Sequence, residues 1–187
     1  NVEDIDLNLA DFSARVNSDL VGKVINIASR CASFIHKYFN GKLSNQLADP
    51  ALFKTFVEAG DEIQNYYENR EFARAVRKIM ELADLANQYI DQHKPWSLIK
   101  TPGEEVNVQN ICSFGINLFY LLITYLKPIL PDTAQKSEHF LNINPLTWEN
   151  RKSALLNHTI GPFTPLLNRI TPENITALKN ASTHTTT

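Results

Sequence analysis

Trp96 lies in "DQHKPWSLIK", directly after a proline and among polar and basic neighbours. Tryptophan is highly buried on average, yet here the ring falls where a helical pattern ends and burial is hard to arrange. Elsewhere Lys23, Arg30 and Lys37 recur every seven residues, and Asn26 stands four residues before Arg30. On a wheel at 100° per residue with Leu20 at zero, those three cations fall at roughly 260–300° and Asn26 at about 240°. Val24, Ile27, Cys31, Phe34, Ile35 and Tyr38 fall within about 60° of zero, which makes them the core face. Asn26 and Arg30 are therefore neighbours in a basic stripe beside that face.

An exposed aromatic ring is a stacking surface for an unpaired base, and an amide and a guanidinium can test the edge of that base. Two blander readings compete. The stripe is also what a solvated helix face looks like, with Asp19 pairing Lys23. The ring could instead fold under Pro95 and staple the helix end.

Other chemistry is scarce. His36, His93, His139, His158 and His184 show no zinc-site spacing with Cys, His or Glu, so no metal is expected. There is no Gly-rich phosphate loop, no Gly-x-Ser-x-Gly elbow and no Cys–His pair with nucleophile character. The carboxylates fall mainly among Lys and Arg on helix faces. Nothing reads as a catalytic residue.

The elements that position Trp96 and the stripe read as helix after helix. Apolar residues at steps of three and four run from Leu9 to Tyr38, with Asn8 as cap, Asp11 in the first turn and "NG" at Asn40 and Gly41 as the stop. A second helix begins at Asp49 and Pro50, and Gly60 weakens its middle. A third carries Phe72, Val76, Ile79, Leu82 or Ala83, Ala86 and Ile90 and ends at Pro95. The fourth holds "ICSFGINLFYLLITYL", 16 residues, where a membrane span needs about 20. It reads as a buried central helix, with Cys112, Phe119 and Leu122 nearly free of solvent. A shorter helix runs from Asp132 to Leu141. Pro145, Pro162, Pro165 and Pro172 then break the chain into an extension that wraps over something else.

The expected class is all-α: a bundle of about five helices over residues 1–141, an extension over 142–180 and a disordered tail over 181–187. Hydrophobic residues make up 43% of the 187 residues, enough for one real core. A formal charge of −2 gives no global pull toward nucleic acid or membrane, so any attraction must be local. Cys31 and Cys112, both in apolar helical patterns, read as reduced core thiols of a cytoplasmic protein. The acidic opening "NVEDIDLN" has no hydrophobic run, which suits a piece of a longer chain.

Four stretches carry a family resemblance: "DIDLNLADFSARVNSDLVGKVINIASR", "REFARAVRKIMELADLANQYIDQHKPW", "ICSFGINLFYLLITYLKPILP" and "PFTPLLNRI". With "KPW" at a helix end and "NIASR" on the first helix, the chain resembles the anticodon-binding domain of bacterial methionyl-tRNA synthetases. The resemblance implies a helix bundle that reads a CAU anticodon in tRNA(Met). It puts the family's anticodon tryptophan and proline at Trp96 and Pro95, and its base-reading pair at Asn26 and Arg30. Trp96 would be the shelf for the first anticodon base, a cytosine, with Lys23 and Lys37 near phosphates. The parent enzyme would use ATP and Mg, and a structural Zn in some members, through a catalytic domain whose signatures this chain lacks. The chain alone would then be inactive. The segment "PFTPLLNRI" would return toward that domain. Where the family commonly has a glycine before a histidine, this chain has Asn157, which implies a different turn. The competing reading is a helical protein-interaction module with Trp96 as its hot spot.

Overall fold

The computed structural model describes residues 19–164. The expected helix start at Leu9, its Asn8 cap and Asp11, and everything after residue 164, including Leu166, Leu167, Ile170 and the tail, lie outside the described residues. Helix α1 spans Val21–Phe39, α2 Pro50–Glu68, α3 Phe72–His93, α4 Pro95–Leu98, α5 Glu105–Leu126 and α6 Pro131–Leu141. A 3-10 turn follows at Glu149–Lys152. The described residues contain no strand, only an isolated bridge between Lys42 and Thr159. The architecture is all-α.

Local chemistry explains the boundaries. Asn40 and Gly41 take φ of 53° and 80°, the left-handed region that stops a helix, and so close α1. Asp49 caps α2 by accepting a hydrogen bond from the Leu52 amide at 3.0 Å, with Pro50 in the first turn. Lys94, at φ 47°, ends α3, and Pro95 does more than stop it: the proline opens the four-residue α4.

Helix α5 is the axle. By length and composition it could cross a membrane, but here every residue from Ile111 to Leu126 is buried within the bundle. All the other helices pack on it, α1 most extensively. At one crossing a Cβ on Gly115 would collide with the Cys31 sulfur, so the glycine sets how closely α1 and α5 approach. Cys31 and Cys112 are both buried and free. A hydrogen bond with Cys31, reinforced by burial, pushes the Cys112 thiol up, so it stays protonated. Cys112, Phe119 and Leu122 are each 0% exposed, as expected.

Two sequence expectations give way. Tyr38, placed on the core face by periodicity, is 43% exposed. It sits in the last turn of α1, where the chain reverses and the fully buried Leu43 closes the core instead. Gly60, expected to weaken α2, lies in an unbroken helix and is buried. Its missing side chain makes room for a clamp from the other end of the chain. Tyr125 Oη donates to the Phe56 carbonyl at 2.6 Å, Arg151 Nε to Val57 at 3.2 Å and Trp148 Nε1 to Gly60 at 3.1 Å. Arg151 is 3% exposed and also reaches the Trp148 carbonyl and the Asp61 carboxylate.

A Cβ at residue 60 would collide with Arg151 Nε and lie 2.8 Å from Tyr125 Oη. Gly60→Ala should therefore cost about 1–3 kcal/mol of stability, as overpacking does. Gly22 in α1 is exposed and a Cβ there would meet nothing within 4 Å. Gly22→Ala should instead stabilise by about 0.5–1 kcal/mol, because a helical glycine is the costlier residue. Urea unfolding of both variants checks the opposite signs.

Residues 142–164 pack on the bundle. Asn117 in α5 holds Leu155 by two hydrogen bonds, accepting from its amide at 2.7 Å and donating to its carbonyl at 3.2 Å. The Leu43 amide donates to the His158 carbonyl at 2.8 Å, and the Ile160 amide to Gly41 at 2.9 Å. Asn157 adopts φ 52°, a left-handed conformation that glycine favours and asparagine tolerates. The turn at this position therefore requires no departure from the one a glycine would make. Phe163 packs edge-on against Phe140, ring centroids 5.4 Å apart.

Candidate nucleic-acid interface

Helices α1 and α3 lie side by side, joined by two ion pairs of equal sequence separation. Lys23 Nζ is 2.9 Å from Asp84, and Arg30 Nη2 is 2.7 Å from Asp91. Since the lower-numbered partners pair together and the higher-numbered ones likewise, the two helices run parallel. This corrects the expected pairing of Lys23 with Asp19. Sequence reasoning missed Asp84 and Asp91, although their seven-residue spacing repeats that of Lys23 and Arg30. All four side chains are partly exposed, so each pair adds at most about 1 kcal/mol. Their main effect is to fix where the guanidinium stands.

That place is beside Trp96. Arg30 Cζ lies 5.0 Å from the Trp96 ring centroid, within cation–π range. The ring is held out from the bundle by its own short helix. Pro95 is buried, Leu98 and Ile99 pack against the core, and Trp96 between them is 40% exposed. The indole N–H makes no hydrogen bond among the described residues, and at 40% exposure the ring is not covered as a staple would be.

Asn26, one turn before Arg30, is exposed, and its amide makes no hydrogen bond with any described residue. Arg30 of α1 and Trp96 of α4 thus meet in one polar-and-aromatic surface, with the exposed Asn26 one turn back on α1. Lys37 is exposed further along α1, its ammonium 5.3 Å from the Tyr38 ring. Among the described residues no cluster of His, Cys, Asp or Glu could hold a metal ion.

Residues 41–175 match the profile of the anticodon binding domain of methionyl tRNA ligase. This chain belongs to that family. Trp96 and Pro95 lie inside the matched residues, whereas Lys23, Asn26, Arg30 and Lys37 precede them, and of these Arg30 reaches the Trp96 ring. Two solved structures of Mycobacterium tuberculosis methionyl-tRNA synthetase share the fold. The free form superposes with a TM-score of 0.74 at 19% identity, over 86% of this chain and 34% of that enzyme. The form bound by methionyl-adenylate gives 0.75 at 22%, over 82% and 32%. The chain spans about a third of the length of these relatives.

Proposed function

We propose that this domain binds the CAU anticodon of tRNA(Met), with Trp96 stacking the first base and Asn26 and Arg30 reading its edge. The observation that carries the reading is the meeting of the half-exposed Trp96 ring and the Arg30 guanidinium, 5.0 Å apart, with the exposed Asn26 one turn back from Arg30 on α1. Stacking is sequence-tolerant because every base has a π-face, so the ring supplies affinity. Cytosine presents a donor and acceptors on its pairing edge, which an amide and a planar guanidinium can match. Pro95, buried at the start of α4, would fix the shelf. On this reading Lys23 and Lys37 meet phosphates, Lys23 less effectively because Asp84 already neutralises it.

The parent protein, on this reading, is a cytoplasmic methionine–tRNA ligase that uses ATP with Mg in a separate catalytic domain, with or without a structural Zn. Methionine-dependent pyrophosphate exchange by the purified chain alone should be absent, and detectable exchange would contradict the division of labour.

A protein-interaction groove with Trp96 as hot spot is distinguished by salt. Titration with a CAU anticodon stem-loop should show log K falling steeply with log[salt], since phosphate contacts release counterions. Failure of the stem-loop to bind at low salt would overturn the reading.

A further inference from the structure

We propose that Tyr38 and Lys37 form a second stacking site, for another unpaired base of the same RNA, further along α1 from Arg30. The inference rests on the anticodon-binding reading and extends it to a ring that reading does not use.

Charge points there first. From Val21 to Phe39, α1 carries Lys23, Arg30, His36 and Lys37 and no aspartate or glutamate. Asp84 and Asp91 neutralise Lys23 and Arg30 from across the α1–α3 seam. Among the described residues Lys37 has no carboxylate within ion-pair distance. Along α1, then, the cations up to Arg30 are paired and the unpaired one stands at the far end, where the exposed Lys42 follows in the turn.

A prepared aromatic surface stands at that positive end. Tyr38 is 43% exposed, comparable to Trp96 at 40%. Phe34, one turn back, lies nearly parallel to it at 6.2 Å and 18°, which holds the ring before anything binds. The Lys37 ammonium lies 5.3 Å from its centroid, repeating the cation-and-ring arrangement of Arg30 and Trp96. A half-exposed tyrosine alone is ordinary. A pre-stacked one carrying the stripe's uncompensated cation suits a polyanion with π-faces, in which the base takes the ring and Lys37 turns to the flanking phosphate.

Reach is compatible with one RNA strand. Tyr38 is eight residues from Arg30, about 12 Å along the helix at 1.5 Å per residue. A loop with splayed bases can place one on Trp96 and another on Tyr38.

The test uses the whole 187-residue chain, a CAU anticodon stem-loop, and stem-loops each carrying one abasic loop nucleotide. Tyr38→Ala should weaken the intact stem-loop by about five- to 150-fold, the range for losing one base–aromatic stack. Tyr38→Phe should keep most of the affinity. The Tyr38→Ala loss should vanish for one abasic position, different from the position that abolishes the Trp96→Ala loss. Lys37→Gln should reduce the salt slope by about 0.7, one phosphate contact on a single strand. Wild-type affinity in Tyr38→Ala, or a loss no single abasic position removes, overturns the proposal. If Trp96→Ala still weakens binding in that case, the anticodon reading stands and only the second site fails. If neither variant changes binding, both fail. Circular dichroism confirms that each variant is folded.

Discussion

Trp96→Ala should weaken binding of a CAU anticodon stem-loop by about 1–3 kcal/mol, or about five- to 150-fold. The substitution removes the stacking face and little else. Pro95, Leu98 and Ile99 keep α4 seated, and Asp91 keeps Arg30 in place at 2.7 Å. Unfolding stability should stay close to wild type, because the side chain is 40% exposed. Trp96→Phe should recover part of the affinity, since a smaller ring still offers a face. Neither change should much alter the preference among bases at the first anticodon position. Isothermal titration with stem-loops that differ at that position separates affinity from preference. A Trp96→Ala variant that binds as tightly as wild type would show that the ring is surface decoration.

Leu122→Ala should lower unfolding free energy by about 2–5 kcal/mol, the range for truncating a buried leucine. Leu122 is 0% exposed on α5, with every residue from Ile111 to Leu126 buried around it. Such close packing leaves little room for neighbours to relax into the cavity. Against the about 5–15 kcal/mol that holds a typical domain together, this is a large fraction. Chemical denaturation measures it directly, and a cost below about 1 kcal/mol would mean that the site collapses far more readily than this packing allows. Binding of the stem-loop by the fraction that remains folded should be unchanged, because Leu122 is a fully buried core residue and the proposed interface is exposed.

The helices were legible because each buries one stripe against α5, and burial of a stripe imposes the helical period on the sequence. The stops were legible where a backbone conformation demanded a residue type, as at Asn40–Gly41 and Asp49–Pro50. Arg151 was not legible. Its burial is compensated by Val57, Trp148 and Asp61, and two of those partners are about ninety positions away, so no local pattern marks it. Gly60 was misread for the same reason, since the side chains that need its space come from α5 and the 3-10 turn. Tyr38 kept the period but lost its burial because the chain reverses two residues later. For the interface, spacing on α1 placed Asn26, Arg30 and the lysines together. The acidic partners on α3 carried the same seven-residue spacing, but recognising it required knowing that α1 and α3 are parallel neighbours.

The central claim is that Trp96 holds the base while Asn26 and Arg30 identify it. Its most direct measurement is the affinity ratio between stem-loops with cytosine and with uracil at the first anticodon position, in wild type and in the Asn26→Ala, Arg30→Ala double variant. Both side chains lie off the core face, so the double variant should fold, as circular dichroism can establish before titration. The ratio should narrow toward one while stacking affinity on Trp96 remains. Arg30→Lys should not restore it, since an ammonium cannot reproduce a planar fork of donors. A folded double variant that prefers cytosine as strongly as wild type would contradict the account and leave the α1 stripe a solvated face.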